Sequence, residues 1–185
     1  MSERLCFTTI GYIEWRKGQD ILIDAVEGLD ERIISCCEFL LVGQDTSLMA
    51  GKIRARISNA TCVRMTGTVP REEIHRILER TDLLICPSRE DPMPTVCAEA
   101  MMHHVPCLIS DAVGTVKYIK DGVNGLIFRN EDTDELGKKI LWAREHSREL
   151  SFMGDRAYEV YTSYFSKEAF EKKLLRYVSE MLNDG

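Results

Sequence analysis

Apolar positions along this chain of 185 residues switch repeatedly between two periods. Short runs at residues 5–10, 39–42, 61–66, 83–86, 107–109 and 126–128 read as strands, four of them apolar throughout rather than alternating. Between the runs, apolar residues recur three or four apart. Ile21, Leu22, Ala25 and Val26 predict one helix, and residues 48–57 a second. Ile74, Ile77 and Leu78 predict a third, opened by Pro70 and running to about Arg80, with Glu72 and Glu73 at its positive end. Val96, Cys97, Ala100 and Met101 predict another from Pro94 onward. A short helix is expected around residues 116–119, then a turn at Asp121-Gly122-Val123-Asn124-Gly125. Three helical stretches close the chain. The first starts at a capping-box-like run from Asp132 to Glu135 and carries Leu136, Ile140 and Ala143 on one face. The second runs through Met153, Ala157 and Val160; the last starts near Ser166 with Phe170, Leu174, Tyr177, Val178 and Met181 on one side.

Strands that alternate with helices and are themselves apolar at every position need cover on both faces. The pattern therefore predicts an α/β fold: a doubly wound, parallel, six-stranded, Rossmann-like sheet with helices on both sides. With no repeat, low-complexity segment or linker, residues 1–185 read as a single domain.

Turn-forming residues gather where these strands end. Gly11, Gly43, Gly67, Pro87 and Ser110 each stand at or near the C-terminal end of a strand, the edge at which doubly wound sheets bind ligands. Glycine also ends many strands for turn reasons alone. The stretch after the fourth strand carries the most chemistry. Pro87, Pro92 and Pro94 hold it as a stiff loop, and the helix that follows presents bare amides near Thr95 and Val96, a seat for phosphate. Thr95 and Glu99 lie one turn apart on that helix, with Asp91 in the loop before it. The ordinary reading makes Asp91 a capping acid and Glu99 a solvated surface residue. The functional reading joins them to the cations Arg16 and Lys17 around a ligand with both phosphate and hydroxyl groups.

A net charge of −6 argues against a nucleic-acid partner, and no apolar run approaches the length of a membrane span. The opening Met1-Ser2-Glu3-Arg4-Leu5 does not read as a signal peptide. Seven cysteines, an odd number without C-x-x-C spacing, read as buried free thiols in a reducing cytoplasm rather than as a zinc or disulfide framework. His103 and His104 are adjacent, so they diverge on a helix and make poor partners for one metal; no metal site is expected.

Arg16-Lys17-Gly18 before a helix, Gly43, Gly67-Thr68-Val69, Pro87-Ser88 before a spaced acid pair, Pro106, the 121–125 turn and Met153-Gly154 together resemble one family. They are similar, in order and spacing over about residues 5–180, to the nucleotide-sugar-binding C-terminal half of retaining GT-B glycosyltransferases of the group 1 type. The family's two glutamates, with seven residues between them, would be Asp91 and Glu99. The resemblance implies that Glu99 accepts bonds from ribose hydroxyls and that Asp91 sits by the donor sugar. Met93, Thr95 and Val96 would hold sugar and phosphate through main-chain donors. Lys17 would neutralise the departing diphosphate, with Arg16 and the Gly11 turn beside it, and the base would rest near Gly67 and Val69. The substrate would be a UDP- or GDP-linked sugar, moved with retention to a glycan, lipid or small acceptor, with no cofactor required.

Three positions depart from the family pattern: Tyr12 where arginine is frequent, Asp91 for glutamate, and Lys117 where relatives carry glutamate. An N-terminal acceptor domain is missing from this chain, so the implied enzyme is a hexosyl-type transferase only as part of a two-domain protein, and the isolated half is expected to be inactive. Peripheral membrane contact stays open for such a full-length protein. Two alternatives share the sheet: a non-catalytic nucleotide-binding or regulatory module, and half of a sugar-nucleotide epimerase. A receiver domain or a dehydrogenase is excluded, because no acidic cluster follows the first strand and no G-x-G-x-x-G opens its helix.

Overall fold

The computed structural model describes residues 4–183, so most of the opening segment read against a signal peptide lies outside the described residues. Six strands form one parallel sheet: β1 (Leu5–Ile10), β2 (Cys37–Val42), β3 (Val63–Gly67), β4 (Leu83–Cys86), β5 (Cys107–Ser110) and β6 (Gly125–Phe128). Their order is β3-β2-β1-β4-β5-β6. The chain winds outward from β1 in one direction, then crosses back to β4 and winds in the other. β1 and β4 are neighbours, with Phe7 opposite Leu83 and Thr8 opposite Leu84. Their C-terminal tips flank the crevice that this reversal opens.

Side chains of successive strand residues point to opposite faces, so an all-apolar strand feeds two cores at once. Leu83 and Ile85 of β4 and Leu108 of β5 pack on one side with Phe7, Phe39, Ile21 and Ile140. Leu84, Cys86, Cys107 and Ile109 pack on the other with Leu78, Ala100 and Met101. The helices covering these layers are α1 (Gln19–Glu27), α2 (Glu31–Ile34), α3 (Leu48–Arg56), α4 (Arg71–Leu78), α5 (Thr95–Met102), α6 (Thr133–Glu145), α7 (Ser147–Val160) and α8 (Lys167–Asn183). Five of the seven cysteines are buried and all seven are free thiols.

Several boundaries differ from the sequence reading. Pro70 and Pro94 stand just outside their helices as N-caps in extended conformation, since a proline donates nothing to either structure. The third strand starts at Val63 and takes in Gly67, whose carbonyl accepts from Gly43. The short helix near residue 116 is a five-residue 3₁₀ segment, Gly114–Tyr118. The four-residue α2, a 3₁₀ turn at Trp15–Lys17 and a π-turn at Tyr161–Phe165 have no periodicity long enough to be read in advance. The last helix has the expected apolar face, and Phe170, Leu174, Tyr177, Val178 and Met181 on it are exposed.

Half of the 132–135 capping box forms, and the returning carboxylate bonds Arg129 in place of the Asp132 amide. The Asp132 carboxylate accepts from the Glu135 amide at 2.8 Å, and Glu135 reaches back to the Arg129 amide at 2.8 Å. Replacing Asp132 by alanine is expected to lower unfolding free energy by about 1 kcal/mol, measured by urea denaturation, with little change in the slope.

Candidate functional site at the strand tips

Gly11, Gly43 and Gly67 close three adjacent strand tips: the Gly11 amide donates to the Val42 carbonyl and the Gly43 amide to that of Gly67. The chain leaving β1 then makes the Trp15–Lys17 turn and enters α1 through Gly18. Gly18 has a φ of +69°, and a β-carbon there would lie 1.9 Å from the Pro87 carbonyl oxygen. Only glycine lets the turn after β1 approach the loop after β4 this closely.

That loop, residues 87–94, is fastened to the turn by Arg89. Its amide donates to the Arg16 carbonyl at 2.9 Å, and its guanidinium to the Trp15 carbonyl at 2.7 Å. The same guanidinium grips Asp20 of α1 through two bonds at 2.8 and 2.9 Å, bonds Glu131 at 2.6 Å, and lies 4.8 Å from the Trp15 ring centroid. The bonds to Asp20, more than any other influence, hold its proton more tightly than in a free arginine. No sequence pattern marked Arg89; its one signal is a basic residue inside a proline-rich loop.

With the two segments tied together, Lys17 and Asp91 meet as an ion pair. The lysine side chain is 19% exposed and the aspartate 8%. Asp91 is therefore not a helix cap: α5 starts after Pro94 without any side-chain cap. Its backbone is fixed as well, by pairing with Val113 and by a 2.8 Å bond from the Gly114 amide to its carbonyl. A β-carbon on Gly114 would come within 1.7 Å of the Pro92 carbonyl oxygen, so this approach also needs glycine.

The site residues expected from sequence sort into groups. Gly11, Lys17 and Val69 share an open groove of about 310 Å³ with Tyr12, Gly43 and Ile74. The Lys17 stem lies against Gly11, where an added β-carbon would touch it at 3.8 Å. Val96, at the bare start of α5, lines a smaller cavity with Lys17 and Ser88. Arg16 bonds the Glu90 carbonyl at 3.3 Å and pairs with Glu14 at the rim. Gly67, the last residue of β3, faces Asp45 rather than Lys17. Thr95 is exposed; Met93, also exposed, takes a weak bond from the Thr115 hydroxyl at 3.8 Å. Glu99 is half-buried on α5 and lines neither space; its carboxylate acts on His103 one turn further along. Of the departing positions, Tyr12 stands 59% exposed on the groove, and Lys117 lies over the Tyr118 ring at 5.1 Å.

His103 and His104 do diverge. His103 bonds His75 of α4 at 2.9 Å, ring nitrogen to ring nitrogen, while His104 reaches Asp155 of α7 at 2.9 Å. Among the described residues, no three side chains gather as a metal site. Burial, then the neighbouring His75, push the His103 pKa down; Glu79 and Glu99 oppose them weakly and His104 adds to them.

Two outcomes follow from this geometry. Arg89→Ala is expected to cost about 2–3 kcal/mol of stability in urea denaturation, because Asp20 is left partly buried without its partner; Arg89→Lys recovers only part, having no fork. For His103 the folded chain takes up its proton at lower pH than the unfolded chain. Acidification through the ordinary histidine value of ~6.5 therefore favours unfolding. The melting temperature should fall less steeply below that pH in His103→Gln than in the wild type.

Known proteins bear directly on this arrangement. The family model for glycosyl transferases group 1 matches residues 4–146. An uncharacterized glycosyltransferase, MJ1178, of Methanocaldococcus jannaschii is 27% identical over 184 residues, covering 95% of this chain and 48% of its own length. The amylovoran biosynthesis glycosyltransferase AmsK of Erwinia amylovora is 24% identical over 154 residues, covering 76% of this chain and 36% of its own. Among solved structures, Anabaena Alr3699/HepE in complex with UDP-glucose superposes with a TM-score of 0.83 at 20% identity, over 96% of this chain and 49% of that one. Sucrose-phosphate synthase from Thermosynechococcus elongatus gives 0.84 at 18% identity, over 100% and 47%. These two likenesses speak to the fold, one half of the GT-B architecture, and the chain spans no more than about half the length of the relatives it matches. With the family's pattern running from β1 through α6, and a paired cation and acid at the sheet's reversal point, the chain belongs to the glycosyl transferases group 1 family.

Proposed function

We propose that this chain is the donor-binding half of a two-domain glycosyltransferase that moves a hexose with retention from a UDP- or GDP-linked sugar to a glycan, lipid or small acceptor. One observation carries the reading: Lys17 and Asp91 converge at the tips of β1 and β4, beside the bare amides of α5. HepE, with its UDP-glucose complex, has the same fold and lends support.

Breaking a glycosyl–phosphate bond places extra negative charge on the leaving diphosphate and positive charge on the sugar. A fixed ammonium and a helix N-terminus stabilise that diphosphate more in the transition state than before it. Lys17 has three N–H donors and spends one on Asp91, leaving two for phosphate oxygens. Asp91 accepts through Oδ2, so Oδ1 is left to take a sugar hydroxyl, and its negative charge offsets the positive charge developing on the ring. The amides of Thr95 and Val96 have no partners within their helix and supply neutral donors. The groove of about 310 Å³ beside Gly11, Tyr12 and Val69 takes the base, with the Tyr12 ring on its open side. Glu99 lines neither space, but it stands on α5 one turn beyond Val96, and as an acceptor only it is the group assigned to the ribose hydroxyls. The acceptor and the remaining walls of the cleft belong to the other half of the protein, so the chain alone binds donor without transferring it.

Thermal-shift titration tests this. UDP or GDP is expected to stabilise the chain by about 3 kcal/mol at a hundredfold excess over Kd, with a smaller shift for the matching nucleoside. Lys17→Ala should weaken nucleoside diphosphate binding about 10- to 100-fold while leaving nucleoside binding nearly unchanged, and Glu99→Ala should weaken both. No shift with any nucleotide tried would reject the reading.

A further inference from the structure

Two buried oxygens beneath the site have no hydrogen-bond partner among the described residues: Thr9 Oγ1 on β1 and Gln19 Oε1 at the start of α1. Thr9 is 4% exposed and Gln19 1%. Both residues line the small cavity shared by Lys17, Ser88 and Val96, between the tips of β1 and β4. The orientation of the Gln19 amide is fixed. Its Nε2 donates to the Tyr12 carbonyl at 2.9 Å, and a carbonyl can only accept, so Oε1 must face elsewhere. A buried carbonyl oxygen needs a donor, which excludes a phosphate oxygen or any other pure acceptor. The threonine hydroxyl can serve as either. The cavity has a volume of about 10 Å³, room for one water.

We propose that Thr9 and Gln19 hold a single ordered water, which donates to Gln19 Oε1 and bonds the Thr9 hydroxyl. Gln19 is then a positioning residue. Its nitrogen grips the Tyr12 carbonyl and its oxygen grips the water, so the turn of Gly11 and Tyr12 is held from below while Lys17 lies over it. This inference stands on the two orphaned oxygens and goes beyond the donor-binding reading; it holds whether or not a nucleotide binds above.

The sign of one stability change decides it. Valine has the shape of threonine without its hydroxyl. If the hydroxyl were truly unpaired, Thr9→Val would raise the melting temperature by removing an unsatisfied group. With a water bonded there, Thr9→Val is expected to lower it by a few degrees. A crystal structure of the wild-type chain at about 1.5 Å should show a density peak within 3.2 Å of both oxygens; no peak there, or a ligand hydroxyl in its place in a donor complex, overturns the proposal. The Ile13 amide belongs to the same peptide unit as the Tyr12 carbonyl and donates to the Gln44 carbonyl at 3.0 Å, so for the positioning role Gln19→Met should speed its hydrogen exchange about tenfold while β4 amides keep their protection. Unchanged exchange at Ile13 overturns that part.

Discussion

Arg89 ties together two segments that lie some 70 residues apart in sequence. Its guanidinium binds Asp20, Glu131 and the Trp15 carbonyl, and its amide holds Arg16. The Arg16 bond to the Glu90 carbonyl and the Lys17–Asp91 pair join the same two segments. Each segment alone lacks regular hydrogen bonding, and each would lose entropy on ordering. Joined, they share the cost, and the charge pair of Lys17 and Asp91 is a further tie between them.

The sheet makes the clasp possible. Reversal of winding at β1 and β4 leaves their tips side by side with no crossover helix between them. The two glycines at the crossing, Gly18 and Gly114, let backbone meet backbone where any side chain would collide. The result is a floor built from main chain, which offers amides and carbonyls in fixed directions. Such preorganised donors suit a reaction whose charge develops on a leaving group.

The far end of the chain obeys a different constraint. α8 packs on the turn before it and otherwise keeps its apolar positions exposed, from Phe170 to Met181. Its period of hydrophobicity is that of a helix with a face to bury, but among the described residues too little packs against it to bury that face.

Sequence alone determined the layers. All-apolar strands at 83–86 and 107–109 require cover on both faces, whatever the rest of the chain does, so the parallel sheet and its helices were legible from the pattern. Strand-end glycines were legible too, because turn chemistry is local, whereas Lys17 was singled out by the family resemblance. What only the tertiary structure decided is which distant residues meet. The pairing of Asp91 with Lys17 replaced a local capping role, Arg89 emerged as the clasp, and Glu99 proved to lie one turn away from the space that Lys17 shares with Val96. Periodicity reports the face a residue presents to its own element's core. It carries no information on contacts made through loops, because there the partner is chosen by strand order and close backbone approach.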